Sequence, residues 1–359
     1  MNKTIIIAEA GVNHNGSLQL ALKLIEAAAA AGADAVKFQT FQADQLVSSS
    51  AGKAEYQKKL TNATESQYEM LRRLQLSLDD HFQLVQHCRK HGISFMSTPF
   101  DELSLRFLTD ELGLDLLKFS SGDLTNLPLI LKAARKGCKV ILSTGMATLV
   151  DVELALATLA FGYIARGDVK PSEQAFRQAY CSSEGQQELT EKVTILHCTT
   201  DYPTAYDDVH LNKMITLRRT FQLPTGYSDH TMGTEIPVAA VALGASVIEK
   251  HFTLDRSMEG PDHQSSIEPS ELAHLVQQIR HVEDAFGIPN KIPAISELKN
   301  MEPSRKSIVA AKDIEVGETF EEMNMTVKRP GNGLPPSMFW SMIGRKANRA
   351  YKKDELIEW

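Results

Sequence analysis

Residues 4–39, TIIIAEAGVNHNGSLQLALKLIEAAAAAGADAVKFQ, contain one complete strand–helix–strand unit. Short apolar runs at Thr4–Glu9 and Ala35–Gln39 predict two strands, and Leu18–Ala31 carries apolar residues near helical spacing. Gly32 stands just before the second strand, where a helix-ending glycine belongs. The segment therefore predicts the repeating unit of an α/β fold.

The same alternation continues along the chain. Helical stretches such as Leu78–Lys90 and Leu127–Lys136 lie between further apolar strand candidates. Eight strand–helix alternations in roughly 285 residues fit a (β/α)8 TIM barrel, whose usual size is about 250 residues. An open doubly wound sheet is the alternative, but no glycine-rich dinucleotide fingerprint follows the first strand. We therefore predict a barrel, whose other six strands are Ser94–Thr98, Leu116–Ser120, Val140–Thr144, Thr194–Cys198, Thr225–Ser228 and Val247–His251.

Two polar segments interrupt the alternation, and a separate C-terminal domain follows it. Gln42–Gln75 is a long excursion of the kind that serves as a lid or an interface, and Phe161–Lys192 is interpreted as a surface helix pair.

After a stretch that contains several prolines, short strands and turns begin at Ser307. We predict a barrel over residues 1–286, a linker over 287–305, and a small β-rich domain over 306–359. Because this domain is too small to be very stable alone, we expect it to dock on a barrel.

The composition excludes several classes of protein. The 359 residues are 43% hydrophobic and carry 38 basic and 45 acidic side chains, a net charge of −7, which argues against nucleic acid or an anionic membrane as the main partner. The apolar runs fall far short of the roughly 20 residues that span a bilayer, and Glu9 ends the first run too early for a secretory signal. We expect a cytoplasmic protein.

Cys198 lies beside His197 at a strand end and could be a ligand or a nucleophile. It is interpreted as a small buried thiol.

Polar side chains stand at the carboxyl ends of all eight predicted strands, which form the active face of a barrel. His230 and His251 are about one strand–helix–strand step apart and should lie at the ends of neighbouring strands. Because a closed barrel places the first strand beside the eighth, Glu9 should lie on the strand next to that of His251. Two imidazoles with a carboxylate nearby could hold a divalent metal with open water positions. The alternative is a pair of hydrogen-bonded histidines that orient other groups.

Two strand lysines, Lys37 and Lys118, predict an anion site. Together with nearby hydroxyl groups they suit a phosphate or a carboxylate, and a substrate carrying both would use the site fully. A structural interpretation needs acidic partners for the lysines, which Glu9 and Asp123 could be. A Schiff-base lysine is a third interpretation. The hydroxyl groups are those of Thr98, Ser121, Ser143 and Ser228.

Motifs along essentially the whole chain, in order, resemble the bacterial sialic acid synthase family. That family comprises N-acetylneuraminate synthases and relatives that make legionaminic and pseudaminic acids. The resemblance implies a TIM barrel followed by a small antifreeze-like (SAF) domain. It is carried by Ala8–Ser17, Val36–Phe41, Ser97–Asp101, Ser143–Met146, Leu196–Thr199, Tyr227–Thr231, Ile248–Thr253, Gly260–Asp262 and Lys328–Gly333.

The resemblance implies a transferase that condenses phosphoenolpyruvate with an N-acetylated mannosamine-type sugar, breaks the phosphoenolpyruvate C–O bond and releases phosphate. The sugar would be N-acetylmannosamine, giving N-acetylneuraminate, or 2,4-diacetamido-2,4,6-trideoxymannose, giving N,N'-diacetyllegionaminate. The opening motif Ala10–Gly16 favours these two branches over the pseudaminate branch, and the choice between them stays open. The implied cofactor is a divalent metal ion. Mn²⁺ is the expected ion, and Mg²⁺ or Co²⁺ are the alternatives.

Residue roles follow from the same resemblance. His230 and His251 would be the protein ligands of the metal, and Glu9 would be the acid/base. Phosphoenolpyruvate would be bound by Lys37, Thr98, Lys118, Ser121, Ser143 and Ser228. The sugar would be bound by Gln39, Asp123, Tyr202 and Asp262, and by Arg329 from a partner subunit whose SAF domain covers the barrel of the other subunit in a homodimer.

Three other functions are compatible with parts of the sequence. Another phosphoenolpyruvate-dependent aldose synthase would need a second phosphate clamp, for which the strand ends offer few spare arginines. A Schiff-base aldolase would use Lys37 or Lys118 and no metal. A binding protein whose SAF domain recognises ice or glycan does not explain eight polar strand ends. The synthase is the predicted function.

Overall fold

The computed structural model describes residues 3–48, 51–53, 65–165 and 169–359. The chain divides into two compact units, residues 1–287 and residues 288–359. Residues 287–305, which the sequence predicts as a linker, contain a helix over Ile295–Ser304. This helix groups with the C-terminal unit.

Eight parallel strands form the sheet of the first unit. Their order is β3-β2-β1-β8-β7-β6-β5-β4, with β1 paired to both β2 and β8. The end strands β3 and β4 are also in contact, so the sheet curls round on itself. The predicted barrel is confirmed. The strands are β1 Ile5–Gly11, β2 Ala35–Thr40, β3 Ser94–Pro99, β4 Leu116–Phe119, β5 Lys139–Ser143, β6 Val193–Cys198, β7 Thr225–Asp229 and β8 Val247–His251.

Helices follow the strands, and several of them begin at side-chain caps. Ser17 accepts a hydrogen bond from the Leu20 N–H at the start of α1, and Ser77 forms a capping box with Asp80 at the start of α4. Gly92 ends α4 at φ 67°, in the left-handed region that glycine adopts without strain. Among the described residues, the α-helices of the first unit are α1 Leu18–Ala30, α2 Ala43–Leu46, α3 Gln67–Leu74, α4 Leu78–His91, α5 Glu102–Arg106, α6 Leu127–Arg135, α7 Leu149–Ile164, α8 Glu173–Tyr180, α9 Ser183–Lys192, α10 Tyr206–Val209, α11 Asn212–Phe221, α12 Glu235–Ala242 and α13 Pro269–Phe286.

The interior of the barrel changes from apolar to polar along the strands. Side chains at positions i and i+2 of a strand share a face. An apolar layer lies inside the barrel, and two residues further along the same strands the interior carries charged and hydroxyl side chains. The apolar layer therefore closes the barrel interior beneath the polar layer. Its members are Ile7, Ala35, Met96, Ile141, Leu196 and Val247.

The two polar segments differ from their predicted form. Residues 161–164 belong to α7, and Phe161 is buried in the core, so the predicted insertion at Phe161–Lys192 begins too early. The helix pair itself is α8 and α9, with residues 166–168 outside the described part. The excursion Gln42–Gln75 contributes α2 and α3, and residues 49–50 and 54–64 of it lie outside the described part.

The C-terminal unit has its own small core. Strands β9 Ser307–Ala310 and β10 Met325–Lys328 pair antiparallel, and helices α14 Ile295–Ser304 and α15 Phe339–Met342 belong to the same unit. Ile308, Phe320 and Tyr351 are buried among the core residues. Across the described ranges of both units, no helix is long and apolar enough to cross a membrane.

Buried neutral histidines should make the barrel sensitive to acid. Burial lowers the pKa of His14 to about 3, and its Nδ1 accepts a hydrogen bond from the Gly16 N–H. Because the unfolded chain binds this proton near pH 6.5 and the folded chain does not, stability is lost as the pH falls between these values. We expect His14 to account for about 3 kcal/mol of lost unfolding free energy between pH 7 and pH 4.

Urea unfolding at several pH values measures this loss. His14→Asn keeps a hydrogen-bond acceptor near the Gly16 N–H and removes the titration, so its stability should change less with pH. Equal pH slopes for the wild type and His14→Asn would contradict the assignment.

Candidate active site

A cavity of about 330 Å³ lies at the carboxyl ends of the barrel strands. Twelve of the fourteen predicted site residues line it. The structure thus gathers residues from strands that are far apart in the sequence into one site. They are Glu9, Lys37, Gln39, Thr98, Lys118, Ser121, Ser143, Tyr202, Ser228, His230, His251 and Asp262.

The strand registers explain why the charged groups meet. Glu9 of β1 stands opposite Lys37 of β2 on one side and opposite His251 of β8 on the other. Ser228 of β7 stands opposite Glu249 of β8. Because parallel strands in register bring such residues to the same level, the polar layer is continuous around this part of the barrel.

Two lysines and two glutamates alternate at the base of the cavity, and all four are buried. Lys37 Nζ lies 2.5 Å from Glu9 Oε2 and 3.7 Å from Glu249 Oε2. Lys118 Nζ lies 3.0 Å from Glu249 Oε1, which also accepts a hydrogen bond from Ser228 Oγ at 3.0 Å. The four charges form one connected network.

Glu249 was missed by the sequence analysis. Glu9 is the partner of Lys37, as the structural interpretation suggests, whereas the acidic partner of Lys118 is Glu249 and not Asp123. A signal for it exists in the sequence, since Val247, Glu249 and His251 alternate along β8 and must share the interior face. The same alternation points Lys250 away from the interior.

Burial affects the two glutamates differently. Burial raises the pKa of Glu9, and repulsion from Glu249 adds to this, although Lys37 opposes it. Burial alone would also raise the pKa of Glu249, but Lys118 and Lys37 outweigh it and hold the value at about 2. Glu249 is therefore the permanent counter-ion and Glu9 the group that can carry a proton. With Glu9 protonated, the network has a net positive charge.

Lys118 remains a cation in this network. Burial would lower the pKa of Lys118, but attraction to Glu249 and Glu9 raises it above its ordinary value. A Schiff-base nucleophile needs a neutral amine, which a raised pKa disfavours. The geometry at Lys118 thus favours anion binding over imine formation.

The two predicted metal ligands face each other at the edge of the cavity. The His230 and His251 ring centroids are 5.4 Å apart, and the Tyr202 ring lies 4.1 Å from His230. Nδ1 of His230 hydrogen-bonds to the Thr199 carbonyl at 2.7 Å, so Nε2 is the nitrogen that a metal would use in place of a proton. Burial would lower the pKa of His230, but its contact with Cys198 raises it. Burial, with repulsion from His230, lowers the pKa of His251 well below its ordinary value, so this ring is neutral.

This pair fits a divalent metal. Nδ1 of His251 is buried without a hydrogen-bond partner, 3.9 Å from Asp262 Oδ2, and the carbonyl that orients His230 is a usual outer partner of a ligating histidine. Glu9 is paired with Lys37, and among the described residues no His, Cys, Asp or Glu completes a compact three-ligand group with the two histidines. Water or substrate oxygens would complete the coordination.

The remaining predicted residues have varied partners. Gln39 Nε2 donates to Glu9 Oε1 at 3.2 Å, and Lys37 Nζ donates to Thr98 Oγ1 at 3.3 Å. Ser121 Oγ accepts from the Gly145 N–H, and Ser143 Oγ is buried without a hydrogen-bond partner. Burial, with a smaller contribution from Glu9, raises the pKa of Asp262 to about 7.

Two predicted sugar contacts are placed elsewhere. Asp123 is engaged by its own turn, where its carboxylate accepts hydrogen bonds from Ser120 Oγ at 2.6 Å and Asn126 Nδ2 at 3.4 Å. It does not line the cavity. Arg329 lies in the C-terminal unit, where its Nε donates to the Ser304 carbonyl at 3.0 Å. Its role across a dimer stays a prediction.

One wall of the cavity is apolar, a feature that the sequence patterns did not predict. It is built largely by the excursion after β2, through α2, α3 and the turn after α2. The excursion thus serves the site directly. The apolar lining residues are Val12, Leu46, Val47, Met70, Leu71, Leu74, Phe100 and Met146.

Comparison with known proteins agrees with this architecture. Residues 24–291 match the NeuB family, and residues 305–359 match the SAF domain. The chain belongs to the NeuB family. It is 48% identical to N,N'-diacetyllegionaminic acid synthase of Campylobacter jejuni over 99% of both chains. It is 44% identical to the protein of the same name from Legionella pneumophila, over 99% of this chain and 93% of that one.

A solved structure shares the fold of this NeuB-family chain. The N-acetylneuraminic acid synthetase of Leptospira borgpetersenii, in complex with citrate, is 33% identical and superposes with a TM-score of 0.66. The match covers 83% of this chain and 90% of that one. Since the close relatives are synthases, the NeuB-family chain is an enzyme.

Proposed function

We propose that this NeuB-family enzyme is a nonulosonic acid synthase that makes N,N'-diacetyllegionaminate from phosphoenolpyruvate and 2,4-diacetamido-2,4,6-trideoxymannose. The observation that carries the proposal is the buried Glu9–Lys37–Glu249–Lys118 network beside the His230–His251 pair. The names of the Campylobacter jejuni and Legionella pneumophila relatives support the choice of product.

The proposed reaction consumes one water and releases one phosphate. The enol carbon of phosphoenolpyruvate forms a C–C bond to the aldehyde carbon of the open-chain sugar, whose oxygen gains a proton. Water oxygen adds to the carbon that bore the phosphate, its proton is removed, and the C–O bond to phosphate breaks. Glu9 can move these protons because its raised pKa lets it both hold and release one.

Phosphoenolpyruvate would lie over the lysines. Lys118 is held as a cation, and protonation of Glu9 would give the network a net positive charge for a phosphate or carboxylate. Ser143 Oγ is buried without a hydrogen-bond partner and lines the same cavity, so it is ready to donate to an anion. Thr98 and Ser121 add hydroxyl groups to the lining of this cavity.

The histidine pair would serve the sugar aldehyde. A divalent metal held by His230 and His251, which we expect to be Mn²⁺, would supply Lewis-acid polarisation of the aldehyde oxygen. The Thr199 carbonyl fixes the orientation of His230, and Tyr202 packs against both rings. Asp262 and Gln39 line the cavity nearby and would bind polar groups of the sugar.

The apolar wall favours the diacetamido sugar over N-acetylmannosamine. The diacetamido sugar carries a methyl group at C6 and a second acetyl methyl, where N-acetylmannosamine carries hydroxyl groups. Burying a methyl-sized group gains about 0.8 kcal/mol, and burying an unpaired hydroxyl costs about 1–3 kcal/mol. A wall that includes Met70, Leu71 and Leu74 therefore favours binding of the diacetamido sugar over binding of N-acetylmannosamine.

Phosphate release tests the proposal. We expect metal-dependent release of phosphate with Mn²⁺ that EDTA abolishes. We also expect kcat/KM to be at least about tenfold larger for 2,4-diacetamido-2,4,6-trideoxymannose than for N-acetylmannosamine, because the free energies of burying the methyl groups and of avoiding buried hydroxyl groups add. A larger kcat/KM for N-acetylmannosamine would assign the N-acetylneuraminate product instead. No release with either sugar would point to a phosphorylated aldose as the acceptor.

A substitution in the wall tests the basis of the preference. Leu71→Gln should reduce the ratio of kcat/KM values for the two sugars, because it replaces apolar lining with an amide. Leu103→Gln is the matched control, since Leu103 is exposed and is not part of the cavity lining. An unchanged ratio in Leu71→Gln would remove the apolar wall from the specificity argument.

A further inference from the structure

A second group of metal-ligand side chains lies on the helical layer of the barrel. Glu26 on α1 meets His87 and His91 on the neighbouring helix α4. His87 Nε2 and Glu26 Oε1 are 2.9 Å apart, and the two imidazole centroids are 4.5 Å apart at an interplanar angle of 41°. One ligand atom from each residue lies within 4.8 Å of the other two.

We propose that Glu26, His87 and His91 form a zinc site. His87 and His91 are one helical turn apart, so their rings share one face of α4. Two imidazole nitrogens and one carboxylate oxygen are ligands that Zn²⁺ accepts in tetrahedral sites. Three protein ligands leave a fourth position for water.

The placement of this group separates it from the candidate active site. Its ligands come from α1 and α4, whereas the cavity is lined from strand ends and the segments that follow them. Glu26 and His91 are exposed and the His87 side chain is 16% exposed, so an ion can enter from solvent. The inference does not rest on the proposed function.

Zinc at this position would join two parts of the chain. The His87–Glu26 hydrogen bond links residues 61 positions apart. Zinc would replace this hydrogen bond with metal–ligand bonds and tie α1 to α4. The expected consequence is a zinc-dependent rise in the thermal midpoint of the barrel unit, since a ligand that binds only the folded state stabilises it.

Zinc binding to the full chain tests the proposal. To remove the candidate active-site metal, binding is measured by equilibrium dialysis with Zn²⁺ in a His230→Ala, His251→Ala background. We expect one equivalent of zinc in this background. Adding His91→Ala to this background removes a direct ligand of the proposed zinc site. Loss of a residue that only hydrogen-bonds to a ligand costs about 10–100-fold in metal affinity, so the loss of zinc affinity in His91→Ala should be larger than that.

Two controls make the outcome decisive. His274→Ala removes an exposed helical histidine on α13 and should leave zinc binding unchanged in the same background. In the otherwise wild-type chain, His91→Ala should leave phosphate release unchanged and abolish one zinc equivalent. No zinc in the double-variant background, or zinc that persists after both His91→Ala and Glu26→Gln, would overturn the site. Circular dichroism of each variant verifies folding.

Discussion

Glu9→Gln should lower kcat by about 10²–10⁴-fold without weakening phosphoenolpyruvate binding, because a neutral side chain at this position keeps the network positive. The amide keeps the size of the side chain and can still accept a hydrogen bond from Gln39 Nε2, but it cannot carry a proton. Burial and Glu249 raise the pKa of Glu9, which makes it the group of this network suited to proton transfer. Steady-state phosphate release measures kcat, and titration calorimetry measures phosphoenolpyruvate binding.

The conservative variant Glu9→Asp separates chemistry from structure. It retains a carboxyl group on a shorter side chain, so it should keep more activity than Glu9→Gln. If phosphoenolpyruvate binding disappears together with turnover in Glu9→Gln, Glu9 serves mainly as the partner of Lys37 and the acid–base role is wrong.

Lys250→Met should lower the unfolding free energy of the barrel by about 3–5 kcal/mol, because it leaves a buried carboxylate unpaired. Lys250 Nζ lies 2.5 Å from Asp229 Oδ2 and donates to the Thr231 carbonyl at 2.7 Å. The side chains of Lys250 and Asp229 are 1% and 0% exposed. Urea unfolding followed by circular dichroism gives the change in the transition of the barrel unit.

An exposed pair provides the contrast. Lys132 pairs with Glu102 on the surface, and Lys132→Met should shift the same transition only slightly because solvent screens the pair. Replacing both buried partners, as in Lys250→Met with Asp229→Leu, should recover part of the loss, since no unpaired charge remains. An unfolding midpoint in Lys250→Met equal to that of the wild type would show that the pair adds nothing to stability.

Local patterns were sufficient to predict the barrel. The predicted strand Val247–His251 has the observed bounds, and Thr4–Glu9 differs from Ile5–Gly11 by one residue at the start and two at the end. Apolar runs and helix-ending glycines are local signals, and eight alternations leave few closed arrangements. The predicted start of the insertion at Phe161 was wrong, because α7 is apolar on most sides and continues to Ile164.

The site was predicted as a set of residues but not as a set of partners. Polar strand ends identified the cavity lining, yet Glu249, the partner of Lys118, was not among the predicted residues. Asp123 looked equivalent to the other polar strand ends, but its carboxylate caps its own turn. The residue types alone do not say which charge faces which.

The sequence by itself determined the order of strands and helices and which strands carry chemistry, because strand and helix periodicities are properties of neighbouring residues. Only the tertiary structure decided that Glu249 lies between two lysines, that Glu9 can hold a proton, and that the excursion after β2 supplies an apolar wall. These features depend on burial and on distances between residues far apart in the chain. Both are set when the barrel closes.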